Sequence, residues 1–329
     1  MTRTGILHLA AMFGVLVLSV SAATVIRRDP AIQVTTAGSA PPAAVSLVDL
    51  GHGLQGVRDA AGTVIPVGDY RRIVSGSSTS DWLLSELCEP DRVLAVTLRS
   101  RESAPWRYRF AGKQTVAALD NLEALLAMQP DLLIIDSYGD PRRVARLREH
   151  GLQVFDMGQM YGVSSLLTAM RRVGALMGRA ERGELLARRF QRSLSALARD
   201  VPEAGRRRAM YLSPYGDKLF GGTRGTAYYD ILVYAGLRDA AAGRFNGFPD
   251  YSAEQVLAID PELIVTRAGA GEAICRHAGL RELGACKRPG SIIEVDSFAI
   301  DDPGLGILEA AEAITAAVYG TYGAEPATK

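Results

Sequence analysis

Short continuous runs of apolar residues alternate along this chain with longer stretches of helix-like, amphipathic spacing. In the first half, strands are predicted at RIVSG (72–76), RVLAVT (92–97), LLIID (132–136) and QVFDM (153–157). Helical patterns lie at 79–88, 121–129 and 140–149, after a short β-like lead-in at 46–68. Continuous apolar runs are typical of strands covered on both faces, and strand–helix–strand order at this spacing is typical of parallel βαβ units. The first half therefore predicts an α/β lobe.

The second half repeats this alternation after a long helical stretch. That stretch covers roughly 163–199 and breaks near Gly178-Arg179. Its second part carries charge on one side and apolar side chains on the other, namely Leu185, Leu186, Phe190, Leu194 and Leu197. Further strands are predicted at RAMYLS (208–213), LIVTR (263–267) and IIEVD (292–296), with helices at 226–235, 253–259 and 306–319. The pattern predicts an α/β protein of two Rossmann-like lobes with mainly parallel sheets, joined by one long α-helix, with a ligand cleft between the lobes.

The N-terminus departs from this alternation. After MTRTG, the stretch ILHLAAMFGVLVLSVSAATVI is almost wholly apolar, Arg3 precedes it, and Ser21-Ala22-Ala23 offers a cleavage site of small residues. These features are typical of a secretory signal peptide, although the length also suits an uncleaved anchor helix. We therefore expect a periplasmic or otherwise extracytoplasmic protein, which stays membrane-anchored if the signal is not removed.

Length and charge refine the organisation. We divide the chain into a signal peptide (1–26), a flexible Pro-rich tether (27–45), an N-terminal lobe with its β lead-in (46–178), a connecting helix (179–200), a C-terminal lobe (201–320) and a tail (321–329). At 329 residues the chain exceeds what one hydrophobic core usually serves. The formal net charge of +1 gives no sign of nucleic-acid binding, and we expect a monomer.

The chain contains three cysteines. Cys275 and Cys286 lie close together in one late segment and could form a disulfide in an oxidising compartment, or could remain free thiols. Cys88 lies on the apolar helix pattern WLLSELC, which favours a buried free thiol.

One pattern occurs twice, once in each predicted lobe. NLEALLAMQPDLLIID begins at 121 and SAEQVLAIDPELIVTR begins at 252. In each copy a polar cap precedes a Glu in the first helical turn, where a carboxylate complements the helix dipole. Glu123 and Glu254 both fall outside the apolar face of their helices. They are either ordinary helix-start acids or two equivalent acids that meet a symmetric basic partner.

With its surroundings, this pattern resembles the helical-backbone (class III) periplasmic solute-binding proteins of ABC importers for cobalamin, ferric siderophores and heme. RIVSGSSTSDWLLSELCEPDRVLAVT is similar to the opening strand–loop–helix–strand of that family, and YYDILVYAGL resembles a helix of its second lobe. The likeness covers about 57–319. One departure is Asp81, where the family commonly has Glu.

The resemblance implies a partner and a function. In that family the Glu of each repeated signature docks onto arginines of the dimeric permease, and Glu123 and Glu254 occupy those positions. The protein is therefore expected to capture a ferric siderophore or cobalamin and to deliver it to an ABC permease. The alternative is an exported heme-binding or ligand-sensing protein on the same scaffold that is not coupled to transport.

Ligands of open α/β sheets bind beyond the carboxyl ends of the strands, so the loops there supply the candidate contacts. We expect ligand contacts from Ser77, Ser78, Trp106, Arg107, Tyr108, Tyr138, Tyr161, Tyr215, Arg224 and Phe298. The resemblance adds Phe248, which stands six residues before Glu254, where cobalamin-binding members of the family carry a cleft tryptophan. The loop RSRESAPWRYRF (99–110) holds four arginines and three aromatic residues. Because arginine pairs with carboxylate and phosphate groups and aromatic rings stack, this loop favours a flat, partly anionic ligand, and hence a ferric siderophore.

Other chemistries find less support in the sequence. The four histidines are not paired at metal-ligand spacing, so we expect no bound metal ion and no resident cofactor. Some heme-binding relatives carry a tyrosine seven residues before the first signature Glu, where this chain has Val116. No nucleophile elbow or phosphate-binding loop is present, and LFGGTRG (219–225) is interpreted as a turn. We therefore do not expect an enzyme.

Overall fold

The structure, a computed structural model, describes residues 45–103, 107–116, 119, 121–136, 142–302 and 304–320. The predicted signal peptide and tail, nearly all of the predicted tether, and the candidate residues Trp106 and Tyr138 lie outside this part of the chain. Within it, no helix combines the length and apolar character needed to span a bilayer.

The lead-in forms a small antiparallel sheet. Its strands are β1 (Leu47–Gly51), β2 (Leu54–Arg58) and β3 (Val64–Pro66), in the order β1-β2-β3. Asp59 directly follows β2 and is buried. Its carboxylate accepts hydrogen bonds from the Thr63 amide at 2.9 Å and the Asp156 amide at 3.2 Å, and pairs with Arg148. These contacts attach the small sheet to the first lobe.

The first lobe is built on a fully parallel sheet in the order β6-β5-β4-β7-β8. Its strands are β4 (Ile73–Ser75), β5 (Val93–Thr97), β6 (Gln114–Val116), β7 (Leu132–Ile135) and β8 (Val154–Asp156). Its helices are α1 (Ser78–Leu87), α2 (Leu98–Ser103), α3 (Leu122–Ala127) and α4 (Arg142–Glu149). Ile134 packs into one hydrophobic core and its neighbours Leu133 and Ile135 into another, which confirms a sheet buried on both faces.

Two packed helices follow the first lobe, α5 (Val163–Leu176) and α6 (Ala180–Asp200). They touch through glycines, because a Cβ on Gly174 would stand 2.7 Å from the Cα of Gly183. The buried residues of α6 are Gly183, Ala187, Phe190, Leu194 and Ala198. The predicted apolar face was therefore right at Phe190 and Leu194 and wrong at Leu185, which is 51% exposed.

The second lobe has a mixed sheet in the order β12-β10-β9-β13-β14, with β11 also beside β9. Its strands are β9 (Arg208–Tyr215), β10 (Lys218–Gly222), β11 (Arg238–Asp239), β12 (Asp250–Tyr251), β13 (Leu263–Arg267) and β14 (Ile292–Val295). Its helices are α7 (Ala227–Tyr234), α8 (Ala253–Ile259), α9 (Gly271–Arg276), α10 (Gly284–Lys287), α11 (Ser297–Ile300) and α12 (Gly306–Tyr319). β10 runs antiparallel to β9 and β12. The segment LFGGTRG is thus not simply a turn, because its first residues belong to β10.

A disulfide joins Cys275 on α9 to Cys286 on α10. The bond closes a loop with a sequence separation of 11, which restricts the unfolded chain. We expect the double substitution Cys275→Ser and Cys286→Ser to lower the free energy of unfolding by up to about 3 kcal/mol, measured by urea denaturation. Adding dithiothreitol should destabilise the wild type and leave the double variant unchanged. Equal stability of the two oxidised proteins would contradict this expectation.

Cys88 is buried, which raises the pKa of its thiol to about 12 and keeps it unreactive.

Candidate functional site

A cavity of about 730 Å³ lies between the lobes, at the carboxyl ends of their parallel strands. In the first lobe, Ser78 follows β4 and Asp136 follows β7. β4 and β7 are neighbours at the centre of this sheet. After β4 the chain continues to β5, toward one edge of the sheet, and after β7 it continues to β8, toward the opposite edge. In the second lobe, β9 and β13 occupy the equivalent position, and their ends supply Ser213 and Arg267. The cavity therefore lies at the topological switch point of both sheets, where open α/β folds bind ligands.

Aromatic side chains form the second-lobe wall of the cavity. The rings of Tyr211 and Tyr228 stack at a centroid distance of 3.7 Å and an angle of 10°. Phe248 stands edge-on to Tyr228 at 6.3 Å, and Tyr215 stands edge-on to Phe220 at 6.4 Å. Tyr215 is 75% exposed and Phe248 is 57% exposed. These two rings therefore present free apolar area to a ligand.

Gly222 on β10 makes room for this wall. A Cβ at that position would stand 2.1 Å from Cδ2 of Tyr228. The absence of a side chain on Gly222 allows the Tyr228 ring to lie against the strand and to stack on Tyr211. Gly222 of the LFGGTRG segment thus contributes to the shape of the cavity.

Polar groups of the wall converge on Asp301. The Tyr228 hydroxyl donates a hydrogen bond of 3.1 Å to Oδ1 of Asp301, and the Tyr211 hydroxyl donates one of 3.5 Å to the same atom. Nη1 of Arg267 lies 3.6 Å from Oδ2 of Asp301, and Nη2 donates to the Ser213 hydroxyl at 3.0 Å. Burial raises the pKa of both tyrosines, so both remain protonated donors at neutral pH. Asp301 thus fixes two aromatic rings and one guanidinium.

The two lobes contact each other beside the cavity. Arg99 on α2 reaches α11, where its guanidinium donates to the Ser297 carbonyl at 3.2 Å and lies 5.1 Å from the centre of the Phe298 ring. The amide of Val163, at the start of α5, donates a hydrogen bond of 2.7 Å to the carboxylate of Asp230 on α7. Since α7 also carries Tyr228, the second contact connects the aromatic wall to the helix pair between the lobes.

The Asp230 contact is sensitive to pH. Burial raises the pKa of Asp230 to about 6, although the Val163 amide acts in the opposite direction. A raised carboxyl pKa means that the folded protein binds the proton more tightly, so stability falls as pH rises through this range. We expect wild type to lose about 2 kcal/mol relative to Asp230→Asn between pH 4.5 and pH 7, because the asparagine carbonyl still accepts from Val163 and carries no charge. Urea denaturation of both proteins at both pH values measures this difference. A difference that is constant with pH would contradict the assignment.

Three of the predicted ligand contacts line the cavity, namely Ser78, Tyr215 and Phe248. Ser77 stands next to Ser78 but caps α1, accepting a hydrogen bond of 3.2 Å from the Ser80 amide. Tyr161 is 52% exposed and does not line the cavity, whereas its neighbour Met160 does.

The structure does not bring the other described candidates to the cavity. Arg107 and Tyr108 lie on a short 3-10 helix (Arg107–Phe110), and Tyr108 is 73% exposed. Phe298 is buried beneath Arg99. The Arg224 guanidinium lies beside the Tyr229 hydroxyl, and the Arg224 carbonyl accepts a hydrogen bond of 2.8 Å from the Gly247 amide.

The sequence prediction missed four residues that define the wall: Tyr211, Tyr228, Arg267 and Asp301. Arg267 is the last residue of β13, so the rule that ligands bind beyond strand ends could have identified it. Tyr211 lies within an apolar strand and Tyr228 within an apolar helix, where aromatic residues usually belong to the core. No sequence pattern around Asp301 indicates a binding residue. Asp301 directly follows α11, and the fold of the second lobe brings it to the cavity.

The two repeated helices begin at equivalent places in the two lobes. α3 follows β6, and α8 follows β12. β12 is antiparallel to β10, and β10 is antiparallel to β9, so β12 runs in the same direction as β9. Both helices therefore begin at the cavity side of their sheets. Glu123 and Glu254 are exposed in the first turns, and a hydrogen bond with Ser252 lowers the pKa of Glu254. Both groups are available to a cationic partner.

Metal-binding groups are scarce around this site. Among the residues that the structure describes, no three His, Cys, Asp or Glu side chains are grouped so that they could hold a metal ion. A metal could still enter as part of a ligand, since the cavity offers aromatic and hydroxyl groups to a chelate.

Comparison with known proteins agrees with this architecture. The family model described as periplasmic binding protein matches residues 73–288. The chain is 23% identical over 274 residues to the cobalamin-binding protein of Halobacterium salinarum, covering 80% of this chain and 73% of that one. It is 27% identical over 154 residues to the vitamin B12-binding protein of Salmonella typhi, covering 46% and 57%. Among solved structures, the periplasmic heme-binding protein HutB of Vibrio cholerae has the same fold, with a TM-score of 0.63 at 21% identity over 75% of this chain and 98% of that one. The match over most of the two lobes shows that this chain belongs to the periplasmic binding protein family, whose members bind ligands rather than catalyse reactions.

Proposed function

We propose that the protein is the substrate-binding component of an ABC importer and that it captures a corrinoid of the cobalamin type. The observation that carries this proposal is the composition of the cavity, which combines exposed aromatic rings with almost no unbalanced charge. Aromatic faces suit a flat macrocycle, and the uncharged amide side chains of a corrinoid require hydrogen-bonding groups rather than cations.

The charges of the cavity favour a corrinoid over an anionic ferric siderophore. The described lining residues contribute two carboxylates, Asp136 and Asp301, and one guanidinium, that of Arg267, which is paired with Asp301. Lys218 lies near the rim, 5.9 Å from the Phe220 ring centre, and pairs with Asp250 at 3.4 Å. The internal residues outside the described part of the chain (104–106, 117–118, 120, 137–141 and 303) include no lysine or arginine. They therefore add no positive charge.

The arginines of loop 99–110, on which the siderophore hypothesis rests, have structural partners. Arg99 contacts α11, as described above. Arg101 donates to the Lys113 carbonyl, and Nη1 of Arg109 lies 2.9 Å from the Glu86 carboxylate. None of the arginines in this loop lines the cavity. The arginine count is thus a weak guide to the charge of the ligand, and the cobalamin-binding relatives support a corrinoid further.

Coupling to transport rests on Glu123 and Glu254. Both acids are exposed in the first helical turn on the cavity side of their lobes. A dimeric permease with paired arginines could bind both acids at once and receive the ligand from the cavity between them. Electrostatic pairing of this kind directs orientation and speeds association.

A ligand panel tests the proposal. Residues 46–329 are dialysed to equilibrium against cyanocobalamin, heme, a ferric tris-catecholate, a ferric hydroxamate and ferric citrate, with absorbance as the readout. We expect selective retention of cyanocobalamin. Selective retention of an iron chelate or of heme would replace the corrinoid as ligand, and retention of none of the five would contradict the proposed function.

A further inference from the structure

Asp301 stands out in the cavity because three polar side chains of the aromatic wall, those of Tyr211, Tyr228 and Arg267, converge on it. Its Oδ1 accepts from Tyr228 and Tyr211, and its Oδ2 faces the Arg267 guanidinium at 3.6 Å. A ligand that reaches this wall therefore meets a guanidinium whose charge is already balanced. We propose that Asp301 determines the charge selectivity of the site by masking Arg267, so that neutral and cationic chelates are accepted and anionic chelates are rejected.

The geometry gives this carboxylate a role beyond holding the tyrosines. An asparagine at position 301 could still accept a hydrogen bond from a tyrosine hydroxyl, so hydrogen bonding alone does not require a charge. The ion pair with Arg267 does require one. Arg267 is also held by Ser213 at 3.0 Å, so its guanidinium would keep its place at the cavity if Asp301 were neutral. Arg267 would then offer an oriented site for a carboxylate or catecholate oxygen.

The rest of the charged surroundings agrees with this role. Asp136, on the first-lobe wall, is the second carboxylate that lines the cavity. Arg99 is directed away, toward the Ser297 carbonyl and the Phe298 ring. Among the described lining residues Arg267 is the only cation, so masking it decides whether the cavity attracts or repels an anion.

The inference rests on the proposed function, because it concerns the ligand of the same cavity. Wild type and Asp301→Asn are titrated calorimetrically with cyanocobalamin, which is neutral, with aquacobalamin, a monocation, and with a ferric tris-catecholate, a trianion. We expect the ratio of tris-catecholate affinity to cyanocobalamin affinity to rise at least about tenfold in Asp301→Asn. The ratio of aquacobalamin affinity to cyanocobalamin affinity should fall.

Two further variants separate charge masking from a structural role. Asp301→Glu restores the carboxylate and should return both ratios toward the wild-type values. Combining Asp301→Asn with Arg267→Met removes the unmasked guanidinium and should abolish the gain in anion affinity. Thermal unfolding of each variant will establish whether the proteins that are compared are folded.

The outcomes distinguish this inference from the proposed function. If wild type binds the tris-catecholate and not cyanocobalamin, the corrinoid proposal fails, and the selectivity role fails with it, because that role requires the wild-type site to reject the trianion. If cyanocobalamin binds and the affinity ratios do not change in Asp301→Asn, the selectivity role is wrong and the proposed function survives. Equal weakening of all three ligands would show that Asp301 is only structural. Binding of none of the ligands by either protein would contradict both.

Discussion

Replacing Tyr215 and Phe248 together with alanine is expected to weaken cobalamin binding by roughly a thousandfold. Both rings line the cavity with more than half of their surface exposed, so a stacked macrocycle would bury them. Burying an aromatic side chain contributes about 2 kcal/mol, and the two contributions together amount to about 4 kcal/mol of binding free energy. Each single variant should account for about half of the loss in free energy, as measured by isothermal titration calorimetry.

Tyr108→Ala provides the matched control for this prediction. Tyr108 is as exposed as Tyr215, at 73% against 75%, but does not line the cavity. We expect its loss to change the Kd by less than about threefold. If Tyr108→Ala weakens binding as much as Tyr215→Ala does, the ligand binds at the 99–110 loop and the cavity is not the site.

Reversing the charge of both repeated acids is expected to abolish delivery to the permease without affecting ligand capture. In the variant carrying Glu123→Lys and Glu254→Lys, lysines would face the arginines proposed to bind these acids, and opposed like charges cost several kcal/mol. Ligand-dependent uptake in cells that carry the cognate importer should fall at least about 100-fold. The Kd for the ligand, measured on the purified protein, should stay at the wild-type value because neither acid lines the cavity.

Glu181→Lys is the control for charge reversal itself. Glu181 is also an exposed glutamate in the first turn of a helix, but it belongs to α6, which connects the lobes. Its reversal should leave uptake intact. Normal uptake by the double variant would show that the protein senses or stores its ligand without docking through these acids.

The sequence pattern predicts four of the five strands of the first-lobe sheet and three of the six strands of the second-lobe sheet, because each of these apolar runs is long enough to fix a buried strand. The runs LLIID and LIVTR became β7 and β13, with bounds differing by at most one residue. It does not predict β6, β10, β11 or β12, which are strands of two to five residues. It also places the exposed Leu185 on the buried face of α6 and leaves Gly183, Ala187 and Ala198 out of that face. Glycine and alanine form most of that face because the backbones of α5 and α6 touch, and a hydrophobicity pattern gives such small residues little weight.

The cavity could be located from the sequence more easily than its residues could be identified. Strand ends indicate where a ligand binds, and Ser78 and Tyr215 were predicted in this way, whereas Phe248 was predicted from the family resemblance. Tyr228 lines the cavity because Gly222 admits its ring, which is a property of the folded sheet. The four arginines of loop 99–110 indicated a cationic site in the sequence, yet tertiary contacts direct Arg99, Arg101 and Arg109 elsewhere. Composition alone therefore does not show which charged residues line the cavity.

The central claim is that one corrinoid binds in the cavity between the lobes. The most direct measurement is isothermal titration calorimetry of residues 46–329 with cyanocobalamin. We predict one binding site per chain with a Kd in the micromolar range or below. Heat changes equal to those of buffer dilution, at protein concentrations of tens of micromolar, would contradict the account.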